Sequence, residues 1–133
     1  MSESNDDTDS FHERGMRLRR QVLGDAHVDR SLARAAEDPF LQPAQDMATE
    51  FGWGAVWARP GLERKTRSFL SITCLAALGH PDELRTHIRG AINNGATRDE
   101  IREVLLHAGV YCGVPVALEC TRIAKEVLDE MGV

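Results

Sequence analysis

The chain has no Cys-x-x-Cys pair, and its three cysteines, Cys74, Cys112 and Cys120, are odd in number. A fully paired disulfide scaffold, a dithiol redox motif and a four-cysteine zinc site are therefore excluded. Each cysteine lies in apolar helical context, where a free thiol is expected to pack as a small hydrophobe. Aromatic residues are scarce, at 5% of 133 residues, so a core drawn from the 42% hydrophobic content consists mainly of Ala, Leu, Val and Ile. No stretch approaches the ~20 apolar residues that cross a bilayer. The first ten residues are acidic and polar, without the apolar segment of a secretory signal. The reading is a disordered acidic tail over 1–11, one domain over 12–133 and a cytoplasmic location. A basic excess is missing too: the formal net charge is −5, which argues mildly against nucleic acid as the main partner, since a basic stripe is its usual footprint. Internal repeats, low-complexity tracts, phosphate loops and strand or hairpin signals are all absent. What is left is an all-α domain of about six to seven helices.

The helices are marked by their punctuation. A basic segment over 12–23 is stopped by Gly24, and a short helix follows over 28–37, ended by Pro39. Pro43 can open the next helix at its first turn, which runs to about Phe51. The stretch 52–61 holds both Trp residues, three Gly and one Pro, and reads as a loop or broken segment. A central helix is expected over 62–79. Its residues 68–78 carry no charge on any face, and a helix apolar all round is buried; in so small a chain that implies burial by neighbouring subunits as well as by its own core. Gly79 ends it and Pro81 restarts a helix over 81–94, with Leu84, Ile88, Ala91 and Ile92 as its buried stripe. Gly95 is the expected left-handed stop. Thr97 and Glu100 have the spacing of a capping box, opening a helix over 98–112 with Ile101, Val104, Leu105, Ala108 and Cys112 inside. Gly113 breaks the chain before a last helix over 115–131.

Several groups have the spacing of a site, each with a plainer alternative. Glu83 and His87 are one helical turn apart at the rim of the buried stripe, which suits an acid–base pair; an exposed i,i+4 ion pair has the same spacing. His80, seven residues before His87, either joins that face or sits in the loop before Pro81. Glu103, His107 and Tyr111 line one face of the next helix, either at a pocket, or in a structural ladder that satisfies polar groups on a mostly buried helix or at a subunit contact. Arg59, Arg64, Lys65 and Arg67 cluster ahead of the uncharged run. Arginine grips carboxylates through a planar fork, and Arg67 is the member closest to being drawn inward; the rest read as a solvated helix start. Trp53 and Trp57 are either a pocket wall or packing. Asp25, His27 and Asp29 alternate, but without a His-x-x-x-His or comparable pair no metal is assigned.

Besides Leu23-Gly24-Asp25-Ala26-His27-Val28-Asp29, three strings carry a resemblance of the chain to the carboxymuconolactone decarboxylase and AhpD-like superfamily. The first is the helix ending at His87 and leading into Gly95-Ala96-Thr97-Arg98-Asp99-Glu100-Ile101. The second is Trp53-Gly54-Ala55-Val56-Trp57-Ala58-Arg59-Pro60-Gly61-Leu62, the most specific of the three. The third runs from Glu103-Val104-Leu105-Leu106-His107 through Tyr111-Cys112-Gly113-Val114-Pro115, where Cys112 departs from a more usual Ala. Peroxide-reducing members carry Cys-x-x-Cys just before the equivalent of His87. Here those positions are His80 and Glu83, so the resemblance is to the decarboxylating branch, and a thiol peroxidase is disfavoured. It covers about Arg17 to Val127.

The resemblance implies an all-helical homo-oligomer, typically a hexamer, with sites near subunit interfaces. It also implies cofactor-independent decarboxylation of 4-carboxymuconolactone to β-ketoadipate enol-lactone and CO2, in the protocatechuate branch of the β-ketoadipate pathway. The lactone carbonyl of that substrate accepts the electron pair, so no cofactor or metal is needed. The roles that follow are His87 as acid or donor with Glu83 orienting it, Arg67 as anchor for the retained carboxylate, Trp57 as a wall, Tyr111 as oxyanion donor, and His80 at the substrate. Neither nucleic acid nor membrane is an expected partner. The other readings are a relative acting on another lactone or β-keto acid, and a non-catalytic helical oligomer or binding module.

Overall fold

Ser10 and Glu13 form a capping box. Glu13 N–H donates to Ser10 Oγ at 3.1 Å, and Ser10 N–H donates to Glu13 Oε2 at 3.2 Å. Two of the amides left over at a helix start are thereby satisfied, and α1 runs from there over Phe11–Leu23. In the computed structural model, which describes residues 9–133, there follow α2 (Asp25–Glu37), α3 (Gln42–Met47), a π-helix (Ala48–Trp57), α4 (Arg64–Leu78), α5 (Pro81–Asn93), α6 (Arg98–Cys112) and α7 (Val114–Glu130). No strand occurs among the described residues, so the chain is all-α as expected. The expected acidic tail lies, over residues 1–8, outside the described residues, and Phe11 is already helical. The chain divides after Gly61 into two units.

In the first unit, α1 packs on the π-helix with backbone against backbone. A Cβ on Gly15 would stand 2.0 Å from the Thr49 carbonyl oxygen, and one on Gly54 would stand 2.0 Å from the Phe11 carbonyl oxygen. Only glycine permits that approach. Buried Arg19 fastens the contact, donating to Gln45 Oε1 at 3.0 Å and Thr49 Oγ1 at 3.3 Å. Leu18, Val22 and Trp53 form a small core with Trp57 packed against it. The loop expected over 52–61 is therefore wrong through Trp57. The glycines there do not break the chain; Gly54 lets it remain helical against α1. The wider i→i+5 pattern carries it on, with Ala58 N–H donating to the Trp53 carbonyl at 3.1 Å.

The second unit is four helices around one core, in which Ile72, Leu84, Ile88, Ala91, Ile101, Leu105 and Ile123 are buried. The predicted stops fall where expected. Gly79 is left-handed (φ 74°, ψ 48°) after α4, Gly95 has φ 92° after α5, and Thr97 and Glu100 form the capping box of α6. Arg85 pairs with Glu126 at 2.6 Å, Arg89 with Glu130, and Arg98 with Asp129 at 3.0 Å, tying α5 and α6 to α7.

Helix α4 is only partly covered by this chain. Within the chain it buries Ser68, Ile72 and Ala76, while Leu70 (52%), Cys74 and Leu78 (70%) face outward. Its uncharged surface thus has one side covered by this chain and one side not. Two of the three cysteines are placed differently from expectation: Cys120 packs in the core as expected, but Cys74 and Cys112 are exposed.

Candidate active site

The site residues expected on α5 occupy its first two turns. Pro81 sits at the start, where its missing N–H costs nothing. Asp82 and Glu83 follow in the first turn, where the helix dipole favours negative charge. The Glu83 side chain is exposed. One turn on, His87 is half-buried beside the core residues Leu84, Ile88 and Ala91, with its Nδ1 atom buried. His87 therefore lies at the rim of the stripe, as its position between apolar residues predicts.

His80 is the N-cap of α5. With Leu75, Leu84, Val116, Glu119 and Cys120 it lines a cavity of 170 Å³. Its loop position and a place at a pocket are thus compatible. Glu119 and Cys120 are polar lining that sequence reasoning missed, because they come from α7, far along the chain. Burial, with Glu119 adding to it, pushes the Cys120 thiol above its ordinary value, so it is a poor nucleophile.

The cationic turn belongs to α4. Arg64, Lys65 and Arg67 fill its start, and no acidic residue shares that turn. Cations at the positive end of a helix dipole are each disfavoured by about 0.3–1 kcal/mol, so the fold concentrates positive charge there against local preference. Arg67 is half-buried with its Nε atom buried, consistent with being drawn inward. Lys65 Nζ lies 3.3 Å from Glu100 Oε2. The Thr97 amide and then Lys65 hold the Glu100 carboxyl below its ordinary value. Beside Arg67, Ser68 is completely buried and accepts a hydrogen bond from Asn94 Nδ2 at 2.9 Å. The Ser68–Asn94 pair was also missed. The only signal is a serine opening an uncharged run, which must find a partner if buried.

The residues on α6 do not form the ladder that was one of their expected readings. Glu103, His107 and Tyr111 all lie on its exposed side, with Tyr111 at 79%. They form no buried ladder. His107 and Tyr111 stack with ring centroids 5.1 Å apart, and Glu103 lies 3.5 Å from Arg102. In the first unit, Trp57 stacks on Trp53 at 4.7 Å, tilted by 34°. Asp25 and Asp29 both pair with Arg20, at 3.1 and 2.9 Å. Among the described residues no group of three or more His, Cys, Asp or Glu is arranged to hold a metal.

The described residues form an all-α fold in which a half-buried histidine stands one turn past an exposed carboxylate, with no Cys-x-x-Cys ahead of it. The chain belongs to the carboxymuconolactone decarboxylase family, whose model matches residues 42–126. It is 43% identical over 122 residues to the 4-carboxymuconolactone decarboxylase of Acinetobacter baylyi, covering 92% of this chain and 90% of that protein. It is 44% identical over 127 residues to the nitrosuccinic acid decarboxylase of Metarhizium robertsii, covering 92% and 87%. An uncharacterised 15.0 kDa protein of Paracoccus denitrificans is 36% identical over 84 residues, 61% of this chain and 62% of that protein. The resemblance drawn from the sequence is thereby borne out.

Proposed function

We propose that the protein is a carboxy-lyase that converts 4-carboxymuconolactone to β-ketoadipate enol-lactone and CO2. The observation that carries this reading is the 43% identity to the Acinetobacter baylyi enzyme across nearly the whole of both chains. In that substrate the γ-carbon bears the departing carboxylate and an acetate arm. The C–CO2 bonding pair passes through the conjugated double bond into the lactone carbonyl, giving a dienolate. A proton delivered to the α-carbon completes the enol-lactone. The substrate supplies its own electron sink, so the reaction asks the protein for an acid, a donor near the carbonyl oxygen and a cation for the acetate arm.

His87 is the acid. Because its Nδ1 is buried, the proton passes through Nε2, with Glu83 orienting the ring. Arg67, at the cationic start of α4, anchors the retained carboxylate. His80 touches the substrate from the cavity rim and Tyr111 donates to the oxyanion. Residues 12–133 work as one domain. The exposed apolar residues Leu70, Leu78, Val110, Val114 and Leu118 support a homo-oligomer, read as a hexamer, with Tyr111 likewise exposed. No helix among the described residues is long and apolar enough to cross a membrane, and we read the location as cytoplasmic.

A second reading is favoured by the equally extensive 44% match to a nitrosuccinic acid decarboxylase. In nitrosuccinic acid, too, the carbon that loses CO2 bears a –CH2–COO⁻ arm. Its electron pair enters a nitro group to give a nitronate, which is then protonated on carbon. The same acid and the same cation serve both reactions; only the sink differs. The test is turnover of freshly prepared 4-carboxymuconolactone beside 2-nitrosuccinate, with CO2 release followed with and without a chelator. Chelator-insensitive turnover of the lactone supports the first reading. Turnover of the nitro acid alone replaces it with the second, and turnover of neither by folded protein sinks both.

A further inference from the structure

Helix α5 carries His87 at its middle and ends at Asn94, its C-cap. From there the Asn94 side chain reaches across to α4. Its Nδ2 donates to Ser68 Oγ at 2.9 Å and lies 3.5 Å from the Arg64 carbonyl oxygen. Those two residues bracket Arg67 on the same helical turn. Ser68 is completely buried, so water cannot replace the bond from its side. A second tether reaches the same turn from the next helix, where Glu100 holds Lys65 at 3.3 Å. Glu100 is itself fixed by the Thr97 amide, at 3.0 Å to Oε1. The cationic start of α4 is thus held from the end of the helix that carries the acid and from the start of the helix after it.

We propose that Asn94 is a positioning residue for the decarboxylation. Through Ser68 it fixes the turn that carries Arg67, and so sets where the substrate's retained carboxylate sits with respect to the helix bearing His87. The proposal rests on the reading of Arg67 as the anchor. Asn94 itself touches no reacting atom. Its expected signature is on substrate binding, because the acid lies about two turns away along α5 and keeps its own setting among Leu84, Ile88 and Ala91.

The experiment measures kcat and KM of the full-length enzyme for whichever substrate it turns over, in Asn94→Ala, Ser68→Ala, Arg67→Met and the Asn94→Ala/Arg67→Met double variant. Loss of one such hydrogen bond corresponds to roughly five- to tenfold in KM. Asn94→Ala is expected to raise KM by that factor with kcat within about twofold of the parent, and Ser68→Ala, which cuts the same bond from the other side, is expected to match it. In the Arg67→Met background the Asn94→Ala effect should vanish, since there is no anchor left to position. An unchanged KM in both single variants, a fall in kcat alone, or an additive double variant overturns the proposal while a raised KM in Arg67→Met leaves the anchor reading standing. An unchanged KM in Arg67→Met removes the anchor reading and the proposal with it. A merely structural role would lower the melting temperature and the active fraction without moving KM, and would not depend on residue 67. If Asn94→Ala does not fold, the cycle runs on Ser68→Ala with the same outcomes.

Discussion

His87 stands where an acid is useful, with one ring nitrogen in the interior and a carboxylate a turn before it. Replacing it with Ala should lower kcat by about 10²–10⁴-fold, the usual worth of a positioned proton donor, and Glu83→Gln should cost less, since in the proposed role Glu83 acts only through the ring. Near-full activity of both variants in folded protein would remove His87 from the chemistry. The place of His87 was legible because it depends only on helical spacing beside Leu84, Ile88 and Ala91. The Ser68–Asn94 bond was not, because it depends on how α4 and α5 pair, and periodicity carries no information about which residues of two helices meet. The exposure of Tyr111 was not legible either: a mostly apolar helix suggested burial, yet this chain by itself leaves the ring uncovered.

At the scale of elements, caps were the readable part. Thr97 with Glu100, Gly79 and Gly95 each have a local reason to end or begin a helix, and each does so. The π-helix was unreadable for the opposite reason. Its glycines look like breakers until α1 is laid against them, and tertiary contact then overrides local preference. Gly15→Ala should therefore be far worse than a helical Gly→Ala exchange on a surface. The new Cβ meets the Thr49 carbonyl, and overpacking of this kind costs about 1–3 kcal/mol or more. A lowered melting temperature with loss of Trp53 burial in the fluorescence spectrum would register it; a raised one would refute the backbone contact.

The ion pairs that bind α5 and α6 to α7 give the molecule a pH response. Arg85 first, then Arg122, holds the Glu126 carboxyl below its ordinary 4.5, and Lys125, then Arg98, holds Asp129 below 3.8. A depressed folded pKa contributes stability that is complete above the unfolded value and is lost as pH falls through the folded one. The urea midpoint should accordingly be level near neutrality and decline from about pH 5 downward. Arg85→Met should make the decline shallower; an unaltered profile would show that the pair contributes nothing measurable. The proposed assembly should be visible through Cys74, which sits with Leu70 and Leu78 on the outward side of α4. In the oligomer its thiol should react slowly with a chromogenic disulfide. In Leu78→Lys, which should dissociate on a sizing column, it should react at once. Equal rates in both would place the contact elsewhere.

The touching backbones at Gly15 and Gly54 also bear on descent. Side chains elsewhere in the first unit can drift in concert, each change absorbed by a neighbour. These two positions have no neighbour that can yield, since what they meet is main chain. A homologue that carries a larger residue at either one has inherited a different crossing of its first helix, and with it a different setting for the two tryptophans. A single letter of that homologue's sequence is enough to announce the change.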